Sequence, residues 1–128
     1  MKRLLLDTHA FLWWLSDDAA LGANARAAIA DGRNEIFVSA ASVWEISIKQ
    51  ALGKLHAPDD LEKVVEDESF NRLPISLFHA EAAGKLPPLH HDPFDRMLVA
   101  QAQAEGLVIV TADEHIPKYG VRTMHAKE

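Results

Sequence analysis

The segment Arg3-Leu4-Leu5-Leu6 restricts the fold more than any other part of the chain. A short continuous apolar run without polar alternation belongs to a strand buried on both faces, and such strands occur in parallel sheets covered by helices. A helix from about Thr8 to Leu15 follows at once, and another is expected near Ala23 to Ala30, stopping at Asp31-Gly32, where glycine supplies a helix exit. Glu35-Ile36-Phe37-Val38-Ser39 is rich in strand-favouring residues and leads into a helix from about Ala41 to Leu52, ended by Gly53.

The middle of the chain carries weaker signals. Asp60 to Glu68 reads as a charged helix, Asn71 to Ile75 as a short strand, and Leu77 to Lys85 as a helix that Pro87-Pro88 closes. In Asp92-Pro93-Phe94-Asp95 the first residue is an N-cap, the proline suits the first helical position, and Asp95 falls in the first turn of a helix running to Glu105-Gly106. Leu107 to Thr111 is the clearest strand, followed by the turn Ala112-Asp113-Glu114 and a last strand near Val121 to Thr123. Strands alternating with helices predict an α/β domain with a parallel sheet. With 128 residues, no internal repeat and no linker-like shift in composition, one domain spanning residues 1–128 is expected.

No apolar run approaches the roughly 20 residues of a membrane span. The N-terminal MKRLLLDTHAFLWWL begins like a secretory signal, but Asp7 and His9 interrupt its apolar segment and no small-residue cleavage site follows. Zero cysteines exclude disulfides, thiolate metal sites and a cysteine nucleophile, and fit a cytoplasmic setting. Thirteen basic residues against 19 acidic ones give a net charge of −6, so the chain does not grip nucleic acid by bulk charge. A nucleic-acid partner would need help from bound cations.

Right-handed crossovers place strand ends and the beginnings of the following helices along one edge of the sheet. Asp7 follows the first strand directly, Asp113 follows the Leu107 strand by one residue, Asp95 lies in the first turn of the helix leading into that strand, and Glu45 lies about one turn into the helix after Ser39. Four carboxylates from distant stretches are thus aimed at the edge where open α/β sheets bind ligands. Each alone has an ordinary explanation: Asp7 as a helix cap, Asp113 as a turn brace, Glu45 as the ion-pair partner of Lys49, and Asp95 as a favourable charge near a helix N-terminus. Together they repel one another unless protons or cations intervene. Oxygen ligands without cysteine favour Mg²⁺ or Mn²⁺ over zinc, and such ions typically act on phosphate esters. The chemistry implied is hydrolysis of a phosphodiester.

The blocks LLLDTHAFLWWL, VSAASVWEISIKQALGKL, HHDPFDRMLVAQAQAEGL and VTADEHI, in this order, cover nearly the whole chain and resemble the PIN-domain ribonucleases, in particular the VapC-type toxins of bacterial toxin–antitoxin pairs. The resemblance implies that Asp7, Glu45, Asp95 and Asp113 are both the catalytic and the metal-binding quartet, the same four that the topology selects. It further implies a three-layer α/β/α sandwich around a parallel sheet, Mg²⁺-dependent endoribonuclease activity with Mn²⁺ as a substitute, homodimerisation, and a cognate antitoxin that inhibits by occupying the active-site groove.

Among supporting residues, Thr8 and Thr111 are candidates to bond metal-bound water or the site carboxylates, and Arg96 and Lys49 to meet substrate phosphates. Arg96 has the alternative of pairing with an acid on its own helix. His90 and His91 read as solvated loop histidines and Asp92 as a cap. Phe11 to Leu15 is wider than one helix face needs, so one of Trp13 and Trp14 could be left exposed for a partner, with core burial expected for most of the run.

A phosphoacceptor receiver domain would want paired acids after the first strand, where Thr8-His9 follows Asp7, and a lysine after the last strand, where Met124 stands. A haloacid-dehalogenase-like phosphatase would want an Asp at the position of His9. Two readings remain beside the ribonuclease: a PIN-like nuclease of DNA or structured flaps, and a non-catalytic module that binds RNA or protein. The intact quartet argues against the second.

Overall fold

Alternate side chains of the first strand meet opposite layers of helices. In a computed structural model describing all 128 residues, β1 (Arg3–Leu6) places Leu4 and Leu6 in one apolar cluster and Leu5 in another, all three with no exposed surface. The period-two geometry of a strand divides them in this way. The first cluster joins Leu4, Leu6, Ile36, Val38 and Val110 to Phe11 of α1 (Thr8–Leu15), Ala25 and Ile29 of α2 (Ala23–Ala30) and Val65 of α4 (Leu61–Asp67). The second joins Leu5, Ile109 and Leu73 to Leu98, Val99 and Ala102 of α6 (Pro93–Glu105). Between them α3 (Ala40–Ala51) gives Ile46 to the first cluster and Ala41 to the second, and α5 (Leu77–Gly84) packs on α6.

The sheet has the order β3-β2-β1-β4-β5, with β2 (Glu35–Ser39), β3 (Asn71–Leu73), β4 (Val108–Thr111) and β5 (Thr123–His125), and every neighbouring pair is parallel. This is the expected three-layer α/β/α sandwich. The chain steps outward from β1 through β2 to β3 and then crosses back over β1 to β4 and β5, so the order reverses at β1, where a ligand crevice forms beyond the carboxyl ends of the strands.

Local chemistry sets the element boundaries. Ser39, Asp60, Ser76 and Asp92 each accept a hydrogen bond from a backbone N–H in the first turn of the following helix. Gly106 ends α6 in the left-handed conformation, φ 69°. β3 stops at Leu73 rather than Ile75, since Pro74 has no N–H to offer the ladder.

The last strand differs more. The sequence places its start near Val121, but Val121 packs against the second cluster after a 3₁₀ turn at Ile116–Tyr119, and regular pairing begins at Thr123 opposite Ile109. An edge strand with exposed and half-buried residues carries no apolar periodicity to mark it.

The tail beyond β5 folds back because position 22 is glycine. Gly22 N–H donates to the Ala126 carbonyl at 2.8 Å, and a Cβ there would run into the backbone of Lys127 and Glu128. No helix is long and apolar enough to cross a membrane.

Candidate active site

Twelve residues line a cavity of about 260 Å³ at the carboxyl edge of the sheet, and Asp7, Glu45, Asp95 and Asp113 are all among them. Asp7 continues β1 and caps α1. Its Oδ1 accepts from the Ala10 N–H at 2.8 Å and its Oδ2 from the Thr111 hydroxyl at 2.6 Å. The Thr111 oxygen also accepts from the Asp113 N–H at 2.9 Å, so one threonine at the end of β4 ties two of the four acids together. Glu45, buried on α3, accepts from Thr8 at Oε1 (2.7 Å) and from Lys49 Nζ at Oε2 (2.6 Å). Asp113 Oδ1 accepts from the backbone N–H groups of His115 and Ile116, which fixes the turn after β4.

Asp95 has the fewest bonds from the surrounding protein and a strongly perturbed charge. Burial pushes its carboxyl up to about 7, with further upward pressure from Asp92, Asp7 and Asp113 that His90 only partly relieves. Burial raises the Asp7 carboxyl as well, against the lowering effect of the Thr111 hydrogen bond. The Glu45 hydrogen bond holds the Lys49 ammonium above its usual range. Two carboxylates driven toward their protonated forms beside two further acids are an arrangement that a divalent cation relieves, and the oxygen-rich donor set suits Mg²⁺ or Mn²⁺. One ligand atom each from His90, Asp95 and Asp113 lie within 4.8 Å of one another, close enough to share one ion.

These shifts set a pH dependence. Between the ordinary carboxyl value of 3.8 and about 7, folded protein holds a proton at Asp95 that the unfolded chain has released. Stability associated with that proton is present at low pH and lost as pH rises through about 7. In EDTA, the Tm of wild type relative to Asp95→Asn is therefore expected to fall between pH 5 and pH 8, and a flat difference in a thermal melt series would contradict the raised carboxyl.

The other expectations divide. Thr8 and Thr111 both bond quartet carboxylates, and Lys49 lines the cavity while paired with Glu45. Arg96 corrects its expected role. Its guanidinium turns away from the cavity and donates to the carbonyls of Ala83, Leu86 and Pro87 at 3.0 Å each and to the Tyr119 hydroxyl at 3.3 Å, so its donors are spent on holding the α5–α6 connection. His90 is the second correction. Its Nε2 lies 3.0 Å from Asp95 Oδ2 and 3.2 Å from Asp113 Oδ2, whereas His91 is exposed as expected.

Asp92 is the expected cap and also lines the cavity. Trp13 and Trp14 are half-buried against the first cluster, and the exposed tryptophan is instead Trp44, edge-on to Phe94 at 5.3 Å. His9, Trp13 and Lys127 complete the wall. His9 sits two positions after Asp7, a signal available in the sequence, but Lys127 reaches the cavity only through the contact of the tail with Gly22. A larger groove of about 430 Å³, lined mainly by Val38, Val43, Trp44, Val65 and Leu73, is apolar and lacks any cluster of acids.

Comparisons with known proteins bear on the family and the fold. The family described as PIN domain matches residues 4–121. Ribonuclease VapC16 of Mycobacterium tuberculosis is 43% identical over 60 residues, which span 45% of this chain and 43% of that protein, less than half of its length. Among solved structures, DNA-bound VapBC from Salmonella typhimurium aligns with a TM-score of 0.70 at 20% identity, covering 97% of this chain and 98% of that one. VapBC2 from Rickettsia felis, bound to a DNA fragment from its promoter, aligns with a TM-score of 0.68 at 14% identity over 95% and 97% of the two chains. At these identities the structural matches establish the fold.

Proposed function

The chain belongs to the PIN-domain family, and from that premise we propose that it is a divalent-metal-dependent endoribonuclease, one nuclease domain over residues 1–128, that serves as the toxin of a toxin–antitoxin pair. The observation that carries the nuclease reading is the convergence of Asp7, Glu45, Asp95 and Asp113 on one cavity, with burial and mutual repulsion raising the carboxyls of Asp7 and Asp95. Asp7, Asp95 and Asp113 would hold Mg²⁺ or Mn²⁺ together with Glu45. When bound, the ion supplies a polarised phosphoryl oxygen and a more acidic water for attack on the phosphodiester.

The chain's own residues prepare that site. Thr111 and Thr8 orient Asp7 and Glu45 by donating to them, and the caps of α1 and α6 fix the backbone from which Asp7 and Asp95 project. Lys49 and Lys127, at the cavity wall, are placed to hold phosphates flanking the scissile one. The acidic charge of the site makes such local help necessary, since four of the six excess negative charges belong to the quartet.

The similarity to a ribonuclease VapC supports RNA as substrate, and the similarity to VapBC structures supports a cognate antitoxin. A homodimer and a cytoplasmic location complete the proposal.

The direct test is ligand linkage. Millimolar Mn²⁺ or Mg²⁺ is expected to raise the Tm of wild type, by the equivalent of about 2.7 kcal/mol when the metal stands at a hundred times its dissociation constant. Asp95→Asn should respond far less. Equal responses from the two proteins would remove Asp95 from the metal site.

A further inference from the structure

Two of the four acids in the cavity are joined by a histidine. Asp7 and Glu45 are each held by hydroxyl, backbone or ammonium donors outside the metal-binding set, but Asp95 Oδ2 and Asp113 Oδ2 share a single side-chain donor, His90 Nε2, at 3.0 and 3.2 Å. The ring is well enclosed, with 13% of the side chain exposed, and lies 4.9 Å from the ring of His115.

Its tautomer follows from the other nitrogen. Nδ1 faces the backbone N–H of Asp92 at 3.3 Å and must accept from it, which leaves the ring proton on Nε2, pointing at the two carboxylates. A metal-ligating histidine has the opposite polarity, donating through the nitrogen that does not bind the ion.

Resting on the reading of the cavity as a divalent-metal site, we propose that His90 is an internal occupant of that site. It holds Asp95 and Asp113 by hydrogen bonds from Nε2–H, in the position a cation takes, and metal loading proceeds by displacement of the ring rather than by ligation through it. His90 is thus a positioning residue that keeps two carboxylates in place in metal-free protein and sets the threshold for loading. Its anchorage fits this role. The segment between α5 and α6 that carries it is fastened by Arg96, which donates to the carbonyls of Ala83 at the end of α5, Leu86, Pro87 and His90 itself, so the backbone that bears the ring is held independently of the two carboxylates.

The test is Mn²⁺ binding by calorimetry to full-length wild type, His90→Ala and His90→Gln, with folding checked by circular dichroism. Removing the ring deletes the hydrogen bonds that the ion must break, so His90→Ala is expected to bind Mn²⁺ about tenfold more tightly. His90→Gln, which retains an N–H donor, should fall between the two. In ¹⁵N-histidine spectra, His90 should show a protonated Nε2 in EDTA and lose its hydrogen-bonded shift on addition of Mg²⁺ without becoming metal-bound.

Weaker or unchanged Mn²⁺ affinity in both variants, or a nitrogen hyperfine coupling to bound Mn²⁺ that vanishes in His90→Ala, would overturn the proposal, the latter by making the ring a ligand. If neither wild type nor His90→Ala binds Mn²⁺, the metal-site reading itself falls and takes the proposal with it. Binding in His90→Ala but not in wild type would be the proposal's strongest form.

Discussion

Asp95→Asn is expected to reduce metal-dependent RNA cleavage by about a thousandfold or more while raising the melting temperature of metal-free protein at pH 8. The loss follows from charge. A carboxylate that helps hold the ion contributes several kcal/mol of electrostatic stabilisation, and each 1.36 kcal/mol is about tenfold in rate. The gain follows from the same charge, because above about 7 Asp95 is ionised among Asp92, Asp7 and Asp113 in a largely desolvated place. Asparagine keeps the shape and leaves the Asp92 cap of α6 untouched. Opposite signs for activity and stability separate a functional residue from a structural one, since a misfolded variant would lose both. Cleavage and thermal melts on the same preparation give the answer. Retained turnover would remove Asp95 from the quartet, and a fall in Tm would contradict its strained charge.

Arg96 carries the second large effect, of the reverse kind. Its fork joins the Ala83 carbonyl at the end of α5, the carbonyls of Leu86, Pro87 and His90 in the α5–α6 connection, and the hydroxyl of Tyr119, which in turn donates to the Pro87 carbonyl at 2.9 Å. Removing it leaves the part-buried Leu86 carbonyl without a donor, while the Ala83 carbonyl keeps the Leu86 N–H and the exposed Pro87 carbonyl keeps the Leu89 N–H and the Tyr119 hydroxyl. A hydrogen bond from a charged donor contributes about 1.5–3 kcal/mol when its partner cannot be resolvated. Arg96→Met is therefore expected to lower unfolding free energy by about 1.5–3 kcal/mol. Arg96→Lys should recover little, because one ammonium cannot reproduce a planar fork that reaches several acceptors. Urea unfolding of the three proteins measures this, and a loss below about 0.5 kcal/mol for Arg96→Met would show the contacts to be incidental. The connection also carries His90, so metal affinity should change together with stability.

The contrast between Asp95 and Arg96, neighbours in sequence, shows what the chain discloses before it folds. The place of Asp95 at the cavity edge follows from topology: strand ends and helix starts share an edge, and that rule needs only the order of elements. Helix α6 was legible from Asp92, Pro93 and Gly106, whose conformational demands are local. The direction of the Arg96 side chain is not local. One turn of helix brings it under the carbonyls of residues 83–87, and only the packing of α5 on α6 puts those carbonyls there. Lys127 reaches the cavity by a comparable route, through a glycine more than a hundred residues earlier.

His90 was hidden for a different reason. A histidine in a proline-rich loop has no periodicity and no spacing to a partner that marks it, and its two carboxylate partners lie 5 and 23 residues away. The exposed edge strand β5 lay outside apolar patterning altogether.

The measurement that bears most directly on the central claim is cleavage of a panel of single-stranded and structured RNAs, with a DNA control, by purified protein in Mn²⁺, Mg²⁺ or EDTA. The account predicts endonucleolytic cutting of RNA that requires the metal, stops in EDTA and spares DNA. RNA cleavage that persists undiminished in EDTA, or metal-dependent cleavage of DNA in preference to RNA, would contradict it.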